Sequence, residues 1–230
     1  MPARAFRLSV LNAEVVACVR CPRLTRWCQE IARDKRAAFS HEKYWGRPVP
    51  SFGDPEGRVL VVGLAPAAHG ANRTGRMVTG DRSGDWLYRA LHTAGFANQP
   101  DGRHAGDGLT LAGVYVTAAV RCAPPDNRPT TEEREACRPF LERELEAFAD
   151  APVIVALGGL AFNQVLRLLA ARGLAVPRPR PKFLHGVEVD LGHTTLIGSY
   201  HPSQQNTFTG RLTEPMFDAI WERARRLSGT

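Results

Sequence analysis

Lysine is nearly absent from this 230-residue chain: only Lys35, Lys43 and Lys182 occur. Long apolar runs are missing too. No stretch of about 18 apolar residues exists, which excludes a membrane-spanning helix. The first residues, Met1-Pro-Ala-Arg-Ala-Phe-Arg7, contain no apolar h-region, so no secretory signal is expected there. Internal repeats and low-complexity tracts are also lacking. Cysteine is scarce and odd in number (Cys18, Cys21, Cys28, Cys122 and Cys137), which argues against a disulfide framework. A reducing cytosol is the expected compartment, and there clustered cysteines point to metal or catalysis.

What is present bounds the rest. Hydrophobic residues make up 43% of the chain, enough to bury a core and to exclude global disorder. The formal net charge is +7, from 30 basic and 23 acidic residues. Such an excess favours an anionic partner, most often nucleic acid. Arginine suits bidentate phosphate contacts, although GC-rich codon usage also produces arginine.

The hydrophobic pattern predicts an amphipathic helical region over 8–34, carrying the first three cysteines, and an irregular stretch over 35–57 broken by Pro48, Pro50 and Pro55. Four short apolar runs read as buried parallel strands: 59–64, 114–120, 153–157 and 195–199. Helices are expected over about 83–94, 130–148, 159–172 and 213–227. A Pro-rich loop covers 173–183, and 187–191 suggests a small hairpin strand. This alternation predicts a single-domain α/β fold over 1–230, a three-layer α/β/α sandwich on a central four-stranded parallel sheet. Ligands bind such folds at the carboxyl edge of the strands. Residues 65–75, 121–127, 158–159 and 200–205 fall there.

Cys18-x2-Cys21 brings two thiolates within reach of one metal centre. Cys122 follows after 100 intervening residues, and Cys137 after 14 more. Four thiolates suit either an iron–sulfur cluster or zinc, and spacing does not choose between them. Ordinary buried thiols at Cys122 and Cys137 are the plain alternative. Cys28, two helical turns after Cys21, reads as a buried thiol. His201 follows the fourth strand, where a donor can hydrogen-bond an anion that develops on a departing group. Asp81 precedes the helix near Ser83, in the position of a helix cap.

Gly63-Leu-Ala-Pro-Ala-Ala-His-Gly-Ala-Asn-Arg-Thr-Gly-Arg76 resembles the first motif of family 5 uracil-DNA glycosylases. Tyr200-His-Pro-Ser203, with 205–207 and 209–213, resembles the second. Val120-Arg-Cys-Ala-Pro-Pro125 and Asn127-Arg-Pro129 resemble the cluster-binding segment shared with family 4. The resemblance spans nearly the whole chain. It implies a [4Fe-4S] cluster held by Cys18, Cys21, Cys122 and Cys137. It also implies a monomeric prokaryotic cytoplasmic repair enzyme that flips a damaged base out of double-stranded DNA and hydrolyses its glycosidic bond.

In that reading His201 faces the leaving base, and Asp81 stabilises the oxocarbenium-like sugar and steers water. Ser203 grips the flanking phosphate, and Gln204 and Gln205 sit on a loop that fills the gap in the base stack. Ala65 stands where other families place a water-positioning Asp or Asn. Ala67 and Ala68 replace the tyrosine that excludes the thymine methyl, and Ala118 replaces the asparagine that reads uracil. Small residues at these places imply a broad range that adds hypoxanthine, xanthine and modified uracils. The family commonly has Phe where this chain has Met77-Val78-Thr79. Val78 cannot stack on a base, and Met77 is the candidate substitute. His69 and Asn72 lie in the first motif without an assigned role, and Asn127 is within reach of base or phosphate. The rival readings are a strict family 4 uracil glycosylase and a non-catalytic iron–sulfur DNA-binding module.

Overall fold

The computed structural model describes residues 3–230. Its N-terminal helical region is two helices rather than one. Helix α1 (Arg4–Val16) stops at Ala17, and α2 (Pro22–Asp34) begins after Cys21. Pro22 explains the break, since its ring suits the first turn of a helix but cannot continue the preceding one. Cys18 and Cys21 therefore sit in a turn, and only Cys28 is helical.

Strands β1 (Phe52–Gly53), β2 (Val59–Gly63), β3 (Val114–Ala118), β4 (Val153–Leu157), β5 (Glu188–Asp190) and β6 (Thr195–Ser199) form one sheet in the order β1-β3-β2-β4-β6-β5. The inner four are the expected parallel strands. The sheet is nonetheless six-stranded and mixed, because β1 and β5 add antiparallel edges. The β5 edge is the small hairpin strand expected over 187–191, whereas β1, at two residues, is too short to carry a period-two signal of its own.

The remaining helices are α3 (Ala71–Thr74), α4 (Arg82–Thr93), α5 (Thr131–Ala147), α6 (Gly159–Ala171), α7 (Gln204–Phe208) and α8 (Glu214–Ser228). Side-chain caps fix the starts of α4, α5, α7 and α8. Thr130 and Glu133 form a capping box on α5, and the side chains of Asp81, Ser203 and Thr213 cap α4, α7 and α8.

Alternation along the strands divides the apolar side chains between two cores. Leu60, Val62, Ile154, Ala156 and Leu196 pack beneath α1, α2, α5 and α6. Val59, Val61, Val116, Val155 and Ile197 pack beneath α4 and α8, with Phe217 and Trp221 fully covered. Each large core side chain contributes about 1.5–3 kcal/mol on burial. From β2 the chain passes to β3 on one side and then to β4 on the other. That reversal opens a crevice at the carboxyl ends of β2 and β4.

Candidate active site and cysteine cavity

His201 stands at this crevice, two residues beyond β6. Gly158, between β4 and α6, adopts φ +95° and donates its amide to Ser199 O at 2.8 Å. A side chain on Gly158 would meet His201 Cβ at 3.6 Å. The His201 carbonyl accepts from Asn206 Nδ2 (2.9 Å) and from the Ser203 amide (2.8 Å), which fixes the backbone. Its ring has no hydrogen-bond partner among the described residues. Burial lowers its pKa to about 4, so the imidazole is neutral at physiological pH and keeps one N–H to donate.

Asp81 caps α4 with one of its carboxylate oxygens, Oδ1, which accepts the Gly84 amide at 3.0 Å. The other, Oδ2, lies against Gly70, where any Cβ would come within 2.1 Å. Glycine at 70 is thus a steric condition for the placement of Asp81. Burial raises the pKa of this carboxyl, against the lowering effect of the Gly84 and Ser83 amides and of Arg73.

The first-motif loop holds itself in shape. Arg73 donates to His69 O and Gly80 O, both at 2.8 Å, and pairs with Glu42. Arg76 makes a bidentate pair with Asp107, both bonds 2.7 Å, and also donates to Thr79 Oγ1 at 3.0 Å. Asn72 is fully buried and ties the loop to the Cys28 and Ala68 carbonyls. His69 Nδ1 lies 3.1 Å from the Tyr44 hydroxyl, and burial with Arg36 and Arg73 nearby lowers its pKa. Val78 adopts φ +48°, a conformation that costs a β-branched residue about 1–3 kcal/mol. Met77 is 1% exposed and packed in the core, so it does not provide the stacking surface that Val78 lacks.

Ala65, Ala67 and Ala68 are half-buried at the end of β2. Ala118 is buried on β3 beside Gly63. Gln204 and Gln205 belong to the first turn of α7 rather than to a loop, and both are exposed. Ser203 Oγ accepts the Asn206 amide as the cap of that turn, which leaves its hydroxyl hydrogen free. Asn127 is exposed in a tight turn at φ +55°, with no contact to His201 or Asp81 shown. Sequence reading passed over two residues here. Phe208 is 69% exposed and stacks on the Arg82 guanidinium at 4.3 Å, while Arg82 Nε donates to Thr207 Oγ1 at 2.8 Å. Arg82 therefore joins the start of α4 to α7.

A separate small cavity is lined by Cys18, Cys21, Cys122 and Cys137 together with Arg121 and Phe140. Cys28 is buried outside this set, its thiol 3.6 Å from Ala123 O. Burial pushes the Cys137 thiol up to about 11, partly countered by the Arg121 charge and backbone. Arg121 is 1% exposed. It pairs with the buried Glu144, whose carboxylate also accepts from Thr117 Oγ1 (2.7 Å) and Ser51 Oγ (2.5 Å). Arg121 Nε nevertheless has no hydrogen-bond partner among the described residues. An orphaned buried N–H is costly unless an acceptor sits beside it. Among the described residues, no three His, Cys, Asp or Glu side chains are set to hold a single metal ion. Four thiols around one cavity, with a cationic donor beside them, fit a thiolate-bound metal centre.

The family model for the uracil DNA glycosylase superfamily matches residues 50–225. A type-5 uracil-DNA glycosylase of Mycobacterium tuberculosis is 54% identical over 221 residues, covering 95% of this chain and 81% of the relative. A type-5 enzyme of Thermus thermophilus is 51% identical over 216 residues, covering 94% and 95% respectively. A type-4 uracil-DNA glycosylase of Pyrobaculum aerophilum is 31% identical over 166 residues, covering 70% and 74%.

Proposed function

The chain belongs to the uracil-DNA glycosylase superfamily, and from that premise we propose how its own residues remove a base. It is a hydrolase of N-glycosyl bonds that takes uracil out of DNA. Its greater identity to type-5 than to type-4 relatives supports a type-5 range, with hypoxanthine, xanthine and modified uracils beside uracil.

The observation that carries this reading is the His201 ring: neutral, unpartnered and fixed at the crevice edge. Once a base is extruded from the duplex, the His201 N–H stabilises the negative charge that grows on its carbonyl. A neutral imidazole donor loses no proton to the leaving base and needs no reorganisation. Asp81 faces the sugar, where its carboxylate stabilises oxocarbenium character and orients water. That role falls to it because Ala65 offers no polar group at the end of β2. Ala67, Ala68 and Ala118 leave room and remove hydrogen-bond readout, so selectivity among bases relaxes. The free Ser203 hydroxyl hydrogen meets a phosphate, Gln204 and Gln205 face the gap in the stack, and Asn127 reaches the strand from the opposite loop.

The decisive experiment is single-turnover release from duplexes that each carry one lesion, scored as abasic sites. Uracil, hypoxanthine and xanthine should all be released. His201→Ala should slow uracil release about a hundredfold or more, the scale for losing one donor to developing negative charge. The wild-type profile should show no histidine inflection near pH 6.5, because the ring is already neutral well below it. Release of uracil alone would return the chain to the strict type-4 reading. Binding without release of any base would make it a binding module.

Cys18, Cys21, Cys122 and Cys137 would hold a [4Fe-4S] cluster, with Arg121 Nε as a donor to it. When bound, such a cluster supplies iron–thiolate bonds that tie the α1–α2 turn, the β3 loop and α5 together. Five free thiols suit work in a reducing cytoplasm, with the chain acting as a monomer. Protein purified without oxygen should contain about four irons per chain. Cys122→Ala should lose the iron, and Cys28→Ala should keep it. Zinc without iron in such a preparation would overturn the assignment.

A further inference from the structure

The segment between α6 and β5 is more ordered than its prolines suggest. From Arg180 onward, exposure alternates residue by residue. Arg180, Lys182 and Leu184 face solvent, whereas Pro181, Phe183 and His185 are half-buried. Over 180–184 the segment is an extended strap with two faces, and a turn at His185–Gly186, with Gly186 at φ +75°, leads it into β5.

The inner face anchors it to the active-site edge. Phe183 lies 5.6 Å from the Phe162 ring and 6.0 Å from the Tyr200 ring, and packs over Gly159. His185 Nδ1 accepts the Tyr200 amide at 3.1 Å, which leaves Nε2–H to donate to Met216 O at 3.2 Å. Tyr200 directly precedes His201. The strap is thus bolted to the backbone that carries the leaving-group donor.

The outer face is cationic and unneutralised. Arg178, Arg180 and Lys182 are exposed. None of them pairs with an acid among the described residues, and the one bond that Arg180 makes is to the Asn163 carbonyl. Some arginines elsewhere find acids, as in Arg143 with Glu14 and Arg223 with Glu188, whereas three neighbouring cations on one short segment here find none. Arg180 and Lys182, two apart on the extended stretch, are about 6–7 Å apart, which is of the order of the separation of neighbouring phosphates along one strand, and Arg178 lies just before them at a bend.

We propose that Arg178, Arg180 and Lys182 form a phosphate rail, which receives the backbone of duplex DNA beside the extruded nucleotide. The proposal rests on the reading of the chain as a DNA glycosylase. The rail adds a contact surface that neither motif supplies. It positions the duplex by charge and takes no part in bond cleavage.

The test is a triple variant, R178Q/R180Q/K182Q. A charge-matched control, R33Q/R143Q/R223Q, removes three cations that already pair with acids. Binding to a duplex with a stable abasic-site analogue is measured across a salt series. Uracil release is measured at saturating enzyme. Each lost phosphate contact should remove about 0.9 from the slope of log affinity against log salt. The rail variant should therefore lose about 2–3 units of slope and bind roughly tenfold or more weakly at low salt. Its saturating release rate should match the wild type, and the control should keep the wild-type slope. Equal slopes in the rail variant and the wild type overturn the proposal. So does an equal loss in both triple variants, which would mark a general field effect. A wild-type protein that releases no uracil would bring down the underlying reading instead.

Discussion

Residues 65–81 and the pair formed by α7 and the strap flank the same crevice, yet they use arginine in opposite ways. In the first, Arg73 and Arg76 are buried and bound to acids and carbonyls. In the second, Arg82 supports the exposed Phe208 ring, Arg211 lies over Tyr200 at 4.6 Å, and the strap cations stay free. One region shapes a pocket and keeps its charges inside. The other presents charge outward. The net charge of +7 sums both kinds and so overstates what remains for a polyanion.

Breaking the inward use of charge should have the largest effect. Arg76 is 4% exposed and its Asp107 partner 9%. Removing one member strands the other, a loss on the scale of about 3–5 kcal/mol for buried pairs. Arg76→Gln should therefore lower the urea midpoint far more than any substitution in the strap. The pH dependence should follow. Burial pushes the Asp107 carboxyl up. Arg76 and the amides of Leu109, Arg103 and His104 outweigh it and hold the pKa well below the ordinary carboxylate range. A depressed carboxylate stabilises the fold above its unfolded pKa, and that contribution disappears as acid approaches its folded pKa. Arg76→Gln should flatten this acid dependence below about pH 4. An unchanged midpoint would mean that the loop does not depend on the clamp.

The same contrast explains what could be read from the sequence. The inner four strands announced themselves because each is an apolar run buried on both faces. The cap on α5 was visible in Thr130 and Glu133. The break at Ala17–Cys21 is signalled only by Pro22, within an otherwise continuous amphipathic pattern. Strap alternation is present in Phe183-Leu-His-Gly-Val-Glu-Val189, but the prolines before it suggested an irregular loop. The Ser51–Thr117–Arg121–Glu144 network had no local signature, since its members lie up to 93 residues apart in the chain. Only folding brings them beneath the cysteine cavity. Phe208 was overlooked because a single aromatic in a polar segment has no period to betray it.

Asp81 tests the boundary between the two regions, since it closes the first loop and its neighbour Arg82 begins the second. Its two oxygens separate its two roles. Asparagine keeps Oδ1 for the Gly84 amide and replaces the charged Oδ2 beside Gly70 by a neutral group. Because burial raises the Asp81 pKa, the ionised form costs stability above the ordinary carboxylate range. Asp81→Asn removes that charge and should leave Tm equal to or above the wild type. Alanine removes the cap as well and should cost about 1 kcal/mol. If the carboxylate serves the sugar, both variants should slow release of every base by a similar factor, about a hundredfold. All substrates pass through the same oxocarbenium-like centre, whereas loss of His201 should weigh most on bases that leave poorly. Affinity for an abasic-site duplex should persist in both variants, because phosphate contacts set it. Full activity in Asp81→Asn would reduce Asp81 to a helix cap. The crevice chemistry would then rest on His201, the backbone amides around it and ordered water.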